Sequence, residues 1–174
     1  FRLQSPMKKI EYFHKIVDAG CELMIIGLES GSHQVLKDMK KYYNLDSLDQ
    51  IFTQIREFKK NRQLRIYLQL IIGYPTETEK DFNDTLNFIF KHVDVIDEVA
   101  TASVFMMLDD FKEAYNKTHN DLLYHRSAMD WETKNSTPLA RLNRANKLER
   151  LLKKLNIPYH MYYKEKIQTL IDTD

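Results

Sequence analysis

Residues 23–32 read LMIIGLESGS. An exposed helix would break the run 23–28 with polar residues at helical spacing, and a half-solvated strand would alternate. A continuous apolar run of strand length predicts a strand buried on both faces. The chemistry then changes abruptly, to Glu29, Ser30, Gly31 and Ser32. In parallel β/α architectures ligands gather where strands end, because there the backbone leaves the sheet and side chains can face a cavity. A carboxylate at such an end can accept two hydroxyl hydrogen bonds, the geometry a ribose diol requires. Ser30 can add a third contact, and Gly31 permits a close backbone approach. The same residues also suit a helix start, with Ser30 or Ser32 capping a helix from 33 and Glu29 complementing its positive end. One loop can serve both purposes.

The flanking sequence supplies the rest of a β-α-β-α-β pattern. Ser5-Pro6 predicts a helix start, with Ile10, Phe13, Ile16 and Val17 on one face and Gly20 as the stop. Residues 33–40 suit a short helix carrying Val35, Leu36 and Met39. Asp46 is the expected cap of the next, whose apolar face is Leu48, Ile51, Phe52, Ile55 and Phe58. IYLQLIIG (66–73) reads as a second buried strand. At its exit Ile71 and Ile72 suit a flat heterocycle, although alternation sends at least one of them into the core. Gly73 leaves space there. Thr76 and Glu79 have capping-box spacing, and Phe82, Leu86, Ile89, Phe90 and Val93 give the inner face of the following helix. Glu77 reads as a helix-start residue rather than a catalyst. Residues 98–107 form a third strand ending in Met106 and Met107.

Helix-length crossovers between such strands predict an α/β fold with parallel strands and outer helices, either an open doubly wound sheet or part of a (β/α) barrel. No Gly-rich phosphate fingerprint follows any strand, and the chain has only four glycines, which argues against a nucleotide-binding Rossmann unit. Residues 108–137, with Trp131, read as a long polar connection of the kind that often serves function. Beyond Pro138 a stripe of Leu139, Leu142, Ala145, Leu148, Leu151, Leu152 and Leu155 predicts a helix, and a last helix is expected over about 161–171. The expected division is 1–107 for the β/α portion and 108–174 for a connection and C-terminal helices packed on it.

Composition narrows the function. With 174 residues, 43% hydrophobic and 29% charged, the chain supports a folded core. A net charge of +1 provides no global field, which argues against nucleic acid or an anionic membrane as partner. The apolar runs are too short to span a bilayer, and FRLQSPMKK lacks the apolar core of a signal peptide. The single Cys21 excludes an intramolecular disulfide and fits a cytoplasmic setting. No histidine has the i,i+4 partner of a helical metal site, so all six read as structural or surface residues. The tail KKLNIPYHMYYKEK reads as a solvated helix end rather than an RNA-binding segment. The absence of an initiator methionine points to a piece of a longer protein.

Taken together, DAGCELMIIGLESGSHQVLKDMKK (18–41) followed by LQLIIGYPTETEKDFNDTLNFI (68–89) resembles the radical S-adenosylmethionine (SAM) enzymes. The likeness is greatest to the cobalamin-binding-type and methylthiotransferase-like branches, and covers about residues 6–105. It implies that the three strands are the fourth to sixth of a six-stranded partial barrel, this chain being its C-terminal half. It implies that Glu29, Ser30 and Gly31 hold the ribose and methionine portions of SAM. Ile71 and Gly73 would then contact adenine, as would the backbone at Met106 and Met107. The family's Cys-x-x-x-Cys-x-x-Cys segment, which holds a [4Fe–4S] cluster, is absent; Cys21 belongs to a different motif. A cluster is therefore expected only in a longer parent, and this chain by itself is expected to be inactive. Cobalamin is tied to one of the two branches, and the motifs do not choose between them. The substrate, small or macromolecular, is not specified. Tyr74 and Thr76 depart from the family's usual leucine or phenylalanine and glycine, reshaping a wall and suiting a helix cap. Open barrel edges predict self-association or an edge covered by the N-terminal segment or by 108–137. The alternative is a binding or interaction module that kept the fold without the chemistry. A Schiff-base lyase is disfavoured because no strand ends in lysine.

Overall fold

The structure, a computed structural model, describes residues 10–41 and 45–173. In chain order the elements are α1 (Ile10–Asp18), β1 (Leu23–Glu29), α2 (His33–Asp38), α3 (Leu45–Lys59), β2 (Arg65–Ile72), α4 (Glu79–Lys91) and β3 (Glu98–Val104). There follow α5 (Asp109–Asn116), β4 (Leu122–His125), β5 (Trp131–Thr133), α6 (Pro138–Lys154), β6 (Tyr159–Tyr162) and α7 (Lys164–Thr173). The expected helix start at Ser5-Pro6 lies outside the described residues.

The three expected strands form and pair in parallel, β1 with β2 and β2 with β3. A fourth parallel strand, β6, adds to β3, giving the order β1-β2-β3-β6. Met161 and Tyr162 were expected to open the last helix; instead they end β6, and α7 begins at Lys164. Four residues of mixed polarity carry too little period to announce a strand, and pairing with β3 decides their state. That pairing covers the β3 edge with the C-terminal strand, not with 108–137. The 108–137 region is also more ordered than a connection: it holds α5 and the antiparallel β4–β5 hairpin.

Most helices start where local chemistry allows, with two corrections. Of the two serines expected as candidates, Ser32 caps α2, accepting the Val35 N–H. The capping box at α4 is Thr78 with Asp81, two residues beyond the expected Thr76–Glu79 pair. Asp46 lies inside the first turn of α3 rather than capping it. Thr137 caps α6 with Pro138 in the first turn, the placement that wastes no donor.

The two faces of the sheet differ. Ile26, Leu28, Ile66, Leu68, Leu70, Ile72, Val99 and Val104 are buried in one core with Phe52, Ile55, Phe82, Ile89, Leu142 and Leu148 from the helices. Burying each such side chain stabilises by about 1.5–3 kcal/mol. On the opposite face Ile25, Tyr67, Gln69, Ile71, Thr101 and Ser103 are only half-buried or exposed. Phe90 and Leu139, expected inside, are exposed. Phe90 lies one residue, about 100° of helix, past the buried Ile89. Leu139 lies in the first turn of α6, ahead of its buried stripe.

Candidate cofactor site at the strand ends

The β1 exit is built around strain. The Ser30 N–H donates to the Leu28 carbonyl at 2.7 Å, closing a three-residue turn about Glu29, whose φ is 61°. A left-handed glutamate costs on the order of 1–3 kcal/mol, and such residues cluster at functional sites. The β1–β2 register shifts here, between Gly27 and Glu29. The Glu29 carboxylate folds back over Gly27, where an added Cβ would lie 2.9 Å from Oε1. Lys41 Nζ pairs with that oxygen at 3.0 Å, and both side chains remain partly exposed.

Ser30 and Gly31 face inward. Ser30 is fully buried; its hydroxyl accepts the Ser32 N–H and lies 3.3 Å from Thr85 Oγ1. The Gly31 N–H donates to Thr85 Oγ1 at 2.8 Å, and a Cβ on Gly31 would lie 2.5 Å from Thr85 Cα. The close approach that glycine permits is thus to α4, not to open space. Ser32 Oγ donates to Asp81 at 2.6 Å. That bond and the Thr78 contacts hold Asp81 below the usual carboxylate range although burial opposes them. The loop is therefore bolted to α4 through hydroxyls, and Glu29 is left as its outward-facing charge.

At the β2 exit alternation separates the isoleucines. Ile72 is 2% exposed in the core, whereas Ile71 lies on the half-open face. Gly73 has φ +75°, and its N–H donates to Glu77 Oε2 at 2.8 Å. Glu77 precedes the Thr78 cap and is buried, with Arg144 Nη1 3.4 Å from its carboxylate. Burial pushes its pKa up to about 7 against the opposing pull of Arg144 and the Gly73 N–H. Arg144 also donates to Glu79 at 2.8 Å and to the Asn135 carbonyl at 2.9 Å.

Beyond β3, Phe105 forms an edge-to-face triangle with Tyr74 and Phe111, the ring centroids 5.0–5.9 Å apart. Met106 is half-buried at this end. Met107 is fully buried, its N–H donating to the Ala128 carbonyl and its own carbonyl accepting from His125 Nε2 at 2.7 Å. The backbone at Met107 is thus occupied by the hairpin.

The structure brings Glu29, Ile71, Gly73 and Met106 to one end of the sheet, where Ser30, Gly31 and Met107 are engaged in hydrogen bonds within the protein. Sequence reasoning did not single out Lys41, Thr85, Arg141 or Arg144. The two arginines carried a usable signal, since Arg141 and Arg144 lie four residues before Ala145 and Leu148 on the apolar stripe of α6. Among the described residues no group of three or more His, Cys, Asp or Glu could hold a metal ion, and no helix is long and apolar enough to cross a membrane.

No known family profile matches the chain. It is 36% identical over 78 residues to a tRNA-2-methylthio-N(6)-dimethylallyladenosine synthase of Clostridium tetani, covering 45% of this chain and 17% of that protein. To the synthase of the same name from Corynebacterium diphtheriae it is 34% identical over 96 residues, covering 52% and 18%. To that of Clostridium botulinum it is 32% identical over 72 residues, covering 41% and 16%. The chain thus spans less than a fifth of the length of the curated relatives it matches. It is a homologue of the methylthiotransferases of the radical SAM superfamily, the resemblance that its two strand-end motifs carry.

Proposed function

We propose that this chain is the part of a radical SAM methylthiotransferase-type enzyme that holds the adenosine end of S-adenosylmethionine. The observation that carries the reading is the strained turn at Glu29, which holds a partly exposed carboxylate at a strand end. Its two oxygens can accept the ribose hydroxyls. Ile71, half-exposed on the same sheet face, offers apolar surface to adenine, and Gly73 and Met106 border it. Ser30, Gly31 and Met107 shape the loops rather than touch the ligand. These residues fit the nucleoside. They do not fit an iron–sulfur cluster, because Cys21 is the sole thiol in the sequence.

A sheet with helices on one face and polar, half-open positions on the other suits a curved half-barrel whose lumen is lined by Tyr67, Gln69, Ile71, Thr101 and Ser103. Residues 1–107 form the barrel portion of this reading, and 108–174 pack on it and add β6. When bound beside a reduced [4Fe–4S] cluster held by another segment, SAM supplies a 5′-deoxyadenosyl radical. This chain's part is to bind and orient the nucleoside and to shield it from water. The relatives are named for a modified adenosine of tRNA, and tRNA is the substrate of the parent in this reading, contacted mainly outside these 174 near-neutral residues.

Titration calorimetry with S-adenosylhomocysteine and 5′-methylthioadenosine tests the reading. Both ligands are expected to bind the chain, through the part they share. Absence of binding by either favours a module that kept the fold without the chemistry.

A further inference from the structure

The loop leaving β2 is held from behind by a residue that touches no ligand-facing surface. Arg141, on α6, is fully buried. A Cβ on Gly73 would lie 2.7 Å from Arg141 Cδ and closer still to Cγ, so the arginine stem is the wall behind that glycine. Beyond the stem, Nη1 donates to the carbonyls of Trp131 and Ser136, and Nη2 to that of Met129, each at 3.0 Å. The guanidinium carbon stands 3.9 Å from the centroid of the Trp131 ring. The segments it gathers return hydrogen bonds to the loop. Ser136 Oγ donates to the Gly73 carbonyl at 2.9 Å, and Thr133 Oγ1 to the Pro75 carbonyl at 2.7 Å.

This is an expensive way to fill space. The guanidinium's hydrogen bonds all go to main-chain carbonyls, and its Nε has no partner among the described residues. Asp130 and Glu132 attract it only from a distance, and burial lowers its pKa to about 10, still charged at neutral pH. A buried cation without a contacting carboxylate is costly, and an apolar side chain of similar volume would pack at lower cost. What the arginine adds is a planar fork that fixes three carbonyls in one geometry, which neither an apolar residue nor lysine can do.

We propose that Arg141 is a positioning residue for the cofactor site: it sets the path of residues 73–77 and so the direction in which Ile71 presents its surface to adenine. This rests on the adenosine-binding reading above. Arg141 acts through Gly73, Ser136 and Thr133 and touches no ligand itself.

The test uses the 174-residue chain and its R141K, R141M and W131F variants. Three quantities are read: 5′-methylthioadenosine affinity by calorimetry, thermal stability, and amide exchange of residues 73–77 against that of the β1–β2 core. In R141K the loop amides exchange faster while the core amides do not, and affinity falls about tenfold, as expected of a site left loosely supported. W131F, which keeps the fork, moves both readouts less. Should R141K be too unstable to purify, R141M keeps the stem against Gly73 and is judged on the same measurements. Wild-type affinity in a folded Arg141 variant overturns the proposal, as does a loss that merely tracks the unfolded fraction. A wild-type chain that binds neither adenosine ligand overturns the cofactor site itself and the role of Arg141 with it. Binding that E29Q abolishes and R141K leaves intact overturns only the role of Arg141.

Discussion

Lys41 Nζ lies 3.0 Å from Glu29 Oε1, joining a residue three positions beyond the end of α2 to the strained end of β1. The pair is partly solvated, so its contribution to stability is about 0.2–1 kcal/mol. Its importance lies in direction, because it keeps an anion at the strand exit whose two oxygens retain lone pairs for hydroxyl donors.

Glu29→Gln and Lys41→Met both break that pair, so they should lower stability by similar small amounts. Only Glu29→Gln removes the acceptor for ribose hydroxyls. A charge-assisted hydrogen bond is worth about 1.5–3 kcal/mol, so its affinity for S-adenosylhomocysteine should fall roughly ten- to hundredfold. Calorimetry beside thermal melts separates the two effects. Equal affinity in both variants would leave Glu29 as a helix-end charge and nothing more.

Gly31→Ala forces a methyl group to within 2.5 Å of Thr85 Cα and 2.8 Å of the Asp84 carbonyl. Both are helix backbone, which cannot rotate aside. Overpacking of this kind costs about 1–3 kcal/mol, to be read as a lower urea midpoint with unchanged slope. A midpoint within experimental scatter of wild type would mean that α4 is free to shift.

Glu77 gives the stability a specific pH dependence. Its folded pKa is raised to about 7 from an ordinary 4.5, so between those values the folded state binds more protons than the unfolded one. Stability from this group is therefore fully present below about pH 4.5 and is lost as pH rises through 7. His92, held low chiefly by burial, has the opposite sign over part of this window. The quantity to measure is thus the difference in unfolding free energy between wild type and Glu77→Gln, which should decline across pH 4.5–7. A flat difference would show Glu77 to be ionised throughout.

Anaerobic incubation with iron and sulfide should leave only background metal on this chain. A [4Fe–4S] cluster of this family needs three thiolates, and Cys21 provides one. Stoichiometric cluster per chain would overturn the assignment of the cluster to another segment.

Self-association should occur through the β1 side of the sheet. Among the described residues β1 pairs only with β2, and Leu23 is 38% exposed, whereas the β3 edge is covered by β6. Sedimentation equilibrium should show a concentration-dependent dimer that Leu23→Lys weakens. A monomer at all concentrations would mean that this edge is covered within the chain.

The three strands, expected at 23–29, 66–72 and 98–106, and the helices between them were legible in the amino-acid sequence, although the third strand stops early, at Val104. Each rests on local period: largely apolar runs of strand length for strands, and i,i+3,i+4 stripes with cap residues for helices. The abrupt change of chemistry at Glu29-Ser30-Gly31 was legible too, since it marks a strand end that suits both a helix start and a ligand contact. Which partners those residues have was decided only by what the fold brings against them. Ser30 and Gly31 turn inward because Thr85 arrives from 54 residues away to meet them. Alternation required one of Ile71 and Ile72 to be buried; the helices, by choosing a face, decided which. Tyr159–Tyr162 became a strand because β3 offered an unpaired edge. Arg141 and Arg144 are interior because carbonyls and carboxylates from the hairpin and the β2 exit converge on them. Local period is written in neighbouring residues, whereas the partner of a buried hydrogen bond is known only once the chain has folded.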